Sequence, residues 1–252
     1  MTDSRIVTTK HEWEDLAQLD PLWAILTDNK KQFGRWNQED FFSSGKQEID
    51  DLMGSCGFVT GNNGRALDFG CGVGRLSRAL HSYFAEVYGV DISEEMINLA
   101  KKHTPGCVFL INQTENLRLF KDEFFDFVYS NIVLQHQPSK EIAKGYIREF
   151  VRIIKPNGII VFQMPWKCSL RYRLQPRRKL YSLLKALGLS PGFLYNKLHL
   201  NPMRTICLSA DSVRATVSSA GGQLLRSYSD HFNYCSMSYV VTKDSQSAIK
   251  HE

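Results

Sequence analysis

The stretch "ALDFGCGVGRLS", Ala66 to Ser77, fixes more of this chain than any other twelve residues. A short apolar run ends in an acid, three glycines follow at every second position, and a helical pattern begins. This is the order of a strand, a tight loop and a helix N-terminus, the unit from which open parallel sheets build ligand sites. Gly70, Gly72 and Gly74 leave the backbone bare where a ligand can lie against it. The dinucleotide fingerprint requires its third glycine three residues after the second, and Arg75 stands there. Counting from Gly72 fails as well, because Ser77 takes the third place. Asp91 follows at the end of the next apolar run and suits a ribose, whose two hydroxyls an acid there can accept. The pattern therefore fits a nucleoside whose other end is not a pyrophosphate, and S-adenosylmethionine meets that description.

Strands and helices alternate from Arg65 onward. Expected strands are 66–69, 87–90, 108–111, 125–130, 159–163, 224–228 and 236–242. Expected helices are 74–84, from a Ser93 cap to about Lys102, 139–154 with "PNG" as its stop, and 211–220 ended by two glycines. That alternation predicts an α/β fold, a mostly parallel doubly wound sheet with its ligand beyond the carboxyl ends of the strands. Residues 1–62 read as a helical extension in which Pro21 opens a second helix, a polar aromatic link "NKKQFGRWNQEDFFSSG" follows, and "KQEIDDLMGSCGFV" resumes a helical period before a "TGNNG" turn. Trp36, Phe41 and Phe42 in the link are candidates for a lid, with plain core as the alternative.

Five segments, "LDFGCGVGR", "VYGVDIS", "NQTENL", "FDFVYSNIVLQHQP" and "IIKPNGIIVFQ", resemble in order and spacing the motifs of class I S-adenosylmethionine-dependent methyltransferases. The resemblance covers about Arg65–Met164 and continues more loosely to the C-terminal strands. It implies a seven-stranded sheet with an antiparallel last strand. The core would be 63–163 with 209–244, and a cap, 164–208, would follow the fifth strand on the acceptor side. It implies that Asp68, Gly70, Gly72 and Gly74 line the methionine end of the donor. Asp91 would bind ribose, Ile92 would pack on adenine, and Gln113, Thr114 and Glu115 would border the adenine edge. Many relatives carry Asp where this chain has Gln113. Ser130 and Asn131 would flank the reacting methyl.

Methyl transfer from a sulfonium is an in-line displacement in which alignment can contribute about 7–11 kcal/mol. A base adds about 10²–10⁴-fold where the nucleophile starts protonated. His136, just past the fourth strand, is the candidate, against a packing role; His231 is a distant second, and the hydroxyls of Tyr172 and Tyr181 read as packing or hydrogen-bonding groups. No metal-ligand constellation is visible. The six cysteines, none in a CxxC pair, read as free thiols in a reducing compartment.

Net charge is +5, but the segment 164–209 holds nine Lys or Arg and no acid, leaving 22 basic against 26 acidic residues elsewhere. Three readings of this insertion stand open. In the first, "RRKLYSLLKALGL" turns Leu180, Leu183, Leu184 and Leu187 onto the acceptor pocket as a roof and leaves its lysines in solvent. The second is recognition of an acidic small molecule. The third is adhesion to an anionic membrane or nucleic acid. Nucleic acid is the weakest, because "SNIV" stands where base-amino methyltransferases carry a D/N-PP-Y/F signature. The N-terminus carries no apolar leader. The expectation is a cytoplasmic methyltransferase acting on oxygen or nitrogen of a small molecule, such as a secondary-metabolite or sugar-type acceptor. A nicotinamide oxidoreductase and a noncatalytic donor-binding module are the alternatives.

Overall fold

The computed structural model describes residues 4–56, 64–230 and 233–244. Its centre is a seven-stranded sheet. The strands are β1 (Arg65–Phe69), β2 (Glu86–Asp91), β3 (Val108–Ile111), β4 (Phe125–Ser130), β5 (Ile154–Pro165), β6 (Gly222–Asp230) and β7 (Asn233–Lys243). They lie in the order β3-β2-β1-β4-β5-β7-β6. The first five pair in parallel, and β7 runs antiparallel between β5 and β6, as the resemblance implies. The order reverses at β1, so the loop after β1 opens at the switch point.

Helices cover both faces because the central strands are apolar on both sides. On one face lie α6 (Lys140–Ile153) and α10 (Ala210–Ser219). Ser139 caps α6, its hydroxyl accepting from Ile142 N at 3.2 Å. The helix then turns Ile142, Tyr146, Ile147, Phe150 and Val151 inward onto Leu67, Phe69 and Val128. On the other face α3 (Gln38–Cys56) and α4 (Arg75–Leu80) place Ile49, Leu52, Leu76 and Leu80 against Ala66, Phe127 and Val161. Each such fully buried aliphatic or aromatic side chain stabilises the fold by about 1.5–3 kcal/mol.

Arg75 explains its place in the glycine loop. It is 3% exposed and lies in the α3–α4 contact, not between helix and strand. Its Nη2 donates to Glu48 Oε2 at 2.7 Å, and Glu48 Oε1 accepts from Tyr129 Oη at 2.8 Å and from Asn131 Nδ2 at 2.7 Å. A buried guanidinium needs such a paired carboxylate. Gly45 on α3 leaves the room for it.

Several boundaries differ from expectation. α4 stops at Leu80 and not at Phe84, because Tyr83 N and Phe84 N both bond to Leu80 O in a tight turn that drops Phe84 onto Phe127, stacked at 5.3 Å. "PNG" does not separate helix from strand. β5 already begins at Ile154, which pairs with Phe125, and the KPNG residues form a bulge in which Lys155 reaches Asp126 at 2.7 Å. Gly158 is required there: a Cβ would meet Ile154 at 2.7 Å. The aromatic link is partly helical, since α3 starts at Gln38, with Asn37 Oδ1 accepting from Asp40 N. Phe41 and Phe42 are buried beside Val73 and Met96 as core, so they are not the lid. The "TGNNG" turn falls in residues outside those described. Cys168 and Cys207 form a disulfide with Cα atoms 6.0 Å apart, where free thiols were expected; two cysteines distant in sequence are brought together by the fold. Cys71 is a buried thiol and Cys107 a half-buried one.

The extension and the insertion form one layer. The extension contributes α1 (Ser4–Leu19) and α2 (Pro21–Ile25), and the insertion α7 (Leu170–Leu174), α8 (Pro176–Ala186) and α9 (Pro191–Asn196). Glu12 accepts from Arg178 Nη2 at 2.5 Å and from Arg204 Nη2 at 2.8 Å, and Asp15 pairs with Lys185. Tyr195 Oη donates to Asp20 at 2.8 Å. The expected roof is therefore inverted. The polar side of α8 faces the protein, and Leu180, Leu183 and Leu187 are 46%, 57% and 69% exposed. Charge pairing with α1, unreadable from the helix alone, chose the face.

The Gly45 contact is testable. Gly45→Ala places a methyl 2.7 Å from both Arg75 Cγ and the Arg75 carbonyl oxygen. Alanine gains about 1 kcal/mol of helix propensity, yet overpacking costs about 1–3 kcal/mol. The variant is expected to show no gain or a net loss in a urea melt; a gain of the full propensity value would show that Arg75 is not confined there.

Candidate functional site

A cleft opens over the carboxyl ends of β1, β2 and β4, enclosing about 770 Å³ that includes its open mouth. Its floor is the glycine loop. Gly70 and Gly72 adopt φ of 78° and 51°, in the left-handed region that favours glycine. The loop amides are already engaged: Gly70 N and Cys71 N donate to Val90 O at 2.8 and 3.0 Å, and Gly74 N donates to Cys71 O at 2.9 Å. Gly72 N donates to Asp91 Oδ2 at 2.9 Å, while Asp91 Oδ1 accepts from Ser93 N at 3.0 Å. Burial raises the Asp91 pKa above the ordinary carboxylate range, against the backbone hydrogen bonds that lower it. One carboxylate thus joins the loop to the start of α5 (Glu94–His103).

Side chains from α1 and α2 close the cleft. Thr9, Trp13, Ala24 and Ile25 line it. Ile25 and Val133 lie against the bare faces of Gly72 and Gly70, where a Cβ would come within 2.4 and 2.3 Å of them. α1 is fixed by Glu14, whose carboxylate accepts from Ser93 Oγ at 2.7 Å, Glu94 N at 3.0 Å and Glu95 N at 3.1 Å. A carboxylate at a helix N-terminus satisfies amides with no intrahelical partner.

Of the residues expected at the site, Gly70, Gly72, Asp91, Ile92, Asn131 and His136 lie on the cleft wall. The others lie off it. Asp68 is 1% exposed beneath the loop and accepts from Ser77 Oγ at 2.6 Å; burial raises its pKa to about 7. Gly74 caps α4 with φ 85°, and a Cβ there would approach Phe109 and Thr104, so its bareness serves packing against α5 and β3. Gln113, Thr114 and Glu115 do not line the cleft, and Thr114 is exposed. Thr114 turns its hydroxyl to Asn112 Oδ1 at 2.8 Å. Glu115 Oε1 and Ser130 Oγ are buried without a hydrogen-bond partner. Asn112 is on the wall instead, its N–H donating to Asp91 O at 2.8 Å. Its place just past β3, matching that of Ile92 past β2, was the available sequence signal. Tyr146, Met96 and Trp13 also line the cleft, and no local pattern announces them.

His136 ends the short 3₁₀ helix η1 (Leu134–His136). Its Nδ1 bonds to Arg204 O at 2.5 Å, which requires the proton on Nδ1 and leaves Nε2 with a lone pair, 3.2 Å from Gln135 Nε2. Trp13 meets the ring edge-on at 5.4 Å. Burial, chiefly, and the Arg204 charge lower its pKa to about 4 against the pull of the Arg204 carbonyl. The ring is neutral at pH 7 and a weak base. His231 lies outside the described residues. Tyr181 is 2% exposed, with its hydroxyl 3.3 Å from Asp15, and Tyr172 is 56% exposed. Among the described residues no cluster of His, Cys, Asp or Glu could hold a metal.

The fold is the one that the resemblance to class I S-adenosylmethionine-dependent methyltransferases implies. Comparisons agree. Residues 67–162 match the family model described as a methyltransferase domain. The ubiquinone biosynthesis O-methyltransferase of Coxiella burnetii is 36% identical over 107 residues, 41% of this chain and 44% of that protein. A 2-methyl-6-phytyl-1,4-hydroquinone methyltransferase of Synechocystis is 36% identical over 99 residues, 38% of this chain and 30% of that protein. This chain spans less than half the length of either relative. The crystal structure of magnesium protoporphyrin IX methyltransferase from Synechocystis with bound S-adenosylhomocysteine superposes with a TM-score of 0.63 at 20% identity, over 96% of this chain and 100% of that one.

The lowered pKa of His136 has a definite consequence. Its folded value lies below the unfolded 6.5, so the unfolded state binds the extra proton first. The stabilisation is complete above pH 6.5 and is lost as pH falls from there toward 4, at about 1.4 kcal/mol per unit. NMR of the imidazole should show titration near pH 4. A midpoint near 6.5 would mean that water reaches the ring and that Nε2 is basic enough for proton transfer.

Proposed function

We propose that this chain is an S-adenosylmethionine-dependent methyltransferase that methylates an oxygen, or a nitrogen, of a small molecule with an apolar body. The observation that carries the reading is the double use of Asp91. Its carboxylate takes the Gly72 amide that a pyrophosphate would need, and the negative charge repels an anion at that point. The remaining lone pairs lie on the cleft wall, where ribose hydroxyls can donate to them. Arg75 in place of the fingerprint's third glycine disfavours a nicotinamide nucleotide. The cleft has the other parts of an adenosine site: Ile92 as an apolar face and Asn112 as an amide edge beside it. Asn131, held by Glu48, stands toward the methionine end. Asp68 acts from below by fixing the start of α4 through Ser77.

When bound, the sulfonium donor supplies an already activated methyl group. What this chain adds is alignment and exclusion of water. Trp13, Ile25 and Val133 close the cleft over the loop. His136 orients rather than deprotonates, its ring locked by Arg204 O and by Trp13. Among the described residues no Lys or Arg lines the cleft, and Arg178, Arg204 and Lys185 of the cap are engaged by acids of α1. We therefore favour a neutral reacting end over an acidic one. Two relatives named as methyltransferases of ubiquinone biosynthesis and of a phytyl hydroquinone support an apolar acceptor. No described helix is long and apolar enough to cross a membrane.

Calorimetry tests the donor. S-adenosylhomocysteine is expected to bind and NAD not to. Asp91→Ala should weaken binding by about 1.5–3 kcal/mol, the scale of hydrogen bonds to a charged group. Binding of NAD, or no binding of either, would overturn the reading; an unchanged constant in folded Asp91→Ala would remove Asp91 from it.

A further inference from the structure

We propose that the outward face of α8 docks this protein on anionic lipid bilayers. An amphipathic surface helix ordinarily turns its apolar stripe to the core. Here Tyr181 faces inward at 2% exposure, with Arg178 and Lys185 drawn to Glu12 and Asp15. Leu180, Leu183 and Leu187 share the opposite face and stand in solvent. Flanking helices add Leu170 at 68% exposure and Phe193 at 47%. Apolar exposure concentrated on one short segment marks an interaction surface, whereas singly scattered residues do not.

The charge around this face selects the occupant. Residues 164–209 contain no Asp or Glu. Among the described residues Arg173, Lys179 and Lys197 form no ion pair with a carboxylate. Leucines on a helix bordered by cations match the two layers of an anionic membrane surface, acyl boundary and headgroup. A second copy of this chain would bring cations against cations, which disfavours a symmetric dimer through the same face. Docking would also hold the cleft near the lipid, because α8 is tied to α1 and α1 lines the cleft. The surface argument itself does not depend on the methyltransferase reading.

The test is co-sedimentation of the full chain with two kinds of vesicle, phosphatidylcholine alone and phosphatidylcholine mixed with phosphatidylglycerol. The wild type is expected to pellet with the mixed vesicles, several-fold less with the neutral ones, and less as salt rises. Leu183→Glu with Leu187→Glu should reduce binding by roughly tenfold or more. Arg173→Glu with Lys179→Glu should reduce it for the mixed vesicles alone. All four positions are exposed, and thermal melts matching the wild type would show that the variants remain folded. Absence of wild-type binding, or a leucine double variant that binds equally, overturns the proposal. So does light scattering that finds a wild-type dimer which the leucine variant loses, because the face then belongs to a second copy. Calorimetry with S-adenosylhomocysteine reads the donor site separately, so either result can fail alone.

Discussion

The Asp91 carboxylate is the joint on which the functional end of the molecule depends. It ends β2, clasps the glycine loop through Gly72 N and opens α5 through Ser93 N. Three pieces of chain, the glycine loop, β2 and α5, are set by one acid, and its desolvation is offset by backbone donors rather than by a cation. An arginine in that role would have recruited phosphate. The carboxylate instead fixes the loop in a shape that leaves neutral hydroxyl groups as its natural further partners.

Apolar periodicity carried the strands and a mostly parallel sheet, and glycine spacing the position of the cleft; the antiparallel last strand came from the family resemblance. They did so because each rests on local physics: strands buried on both faces read as apolar runs, and glycine is the residue a loop with positive φ favours. The same loop shows where local reading stops. Gly74 has the sign of φ that Gly70 and Gly72 have, yet its bare face meets Phe109 and Thr104 across the helix layer. Sequence distinguishes a glycine that must be bare from one that need not be, and it does not say what fills the space. Asp68 is a similar case. Its place at the strand end is right for a ligand contact, but Ser77 lies closer and takes it.

Past β3 the cleft wall falls one residue earlier than the expected positions. Residues after β3 were expected at 113–115, and the wall residue is Asn112. Thr114 and Asn112 bond to each other and to Asn116 in a compact turn, so the amide nearest the strand remains at the wall and the later ones do not line it. Turn closure of this kind follows from side-chain hydrogen bonds two residues apart, and spacing alone cannot rank them.

The α8 helix poses the harder problem. A period of 3.6 states which residues share a face, and Leu180, Leu183 and Leu187 do share one, whereas Leu184, grouped with them, packs inward beside Tyr181. Which face looks inward is decided by what the neighbour offers, and α1 offers Glu12 and Asp15. The same short helix also presents Glu14 to α5 and Thr9 and Trp13 to the cleft. Its acids thus work in two directions, Glu14 toward the domain and Glu12 and Asp15 toward the cap, with the cleft wall between them. Extension and insertion, far apart in sequence, become one mechanical unit over the site, because moving α8 strains the same α1 that carries Trp13 against His136. A contact made on the outside of the cap is therefore two ion pairs and one aromatic edge away from the wall of the cleft.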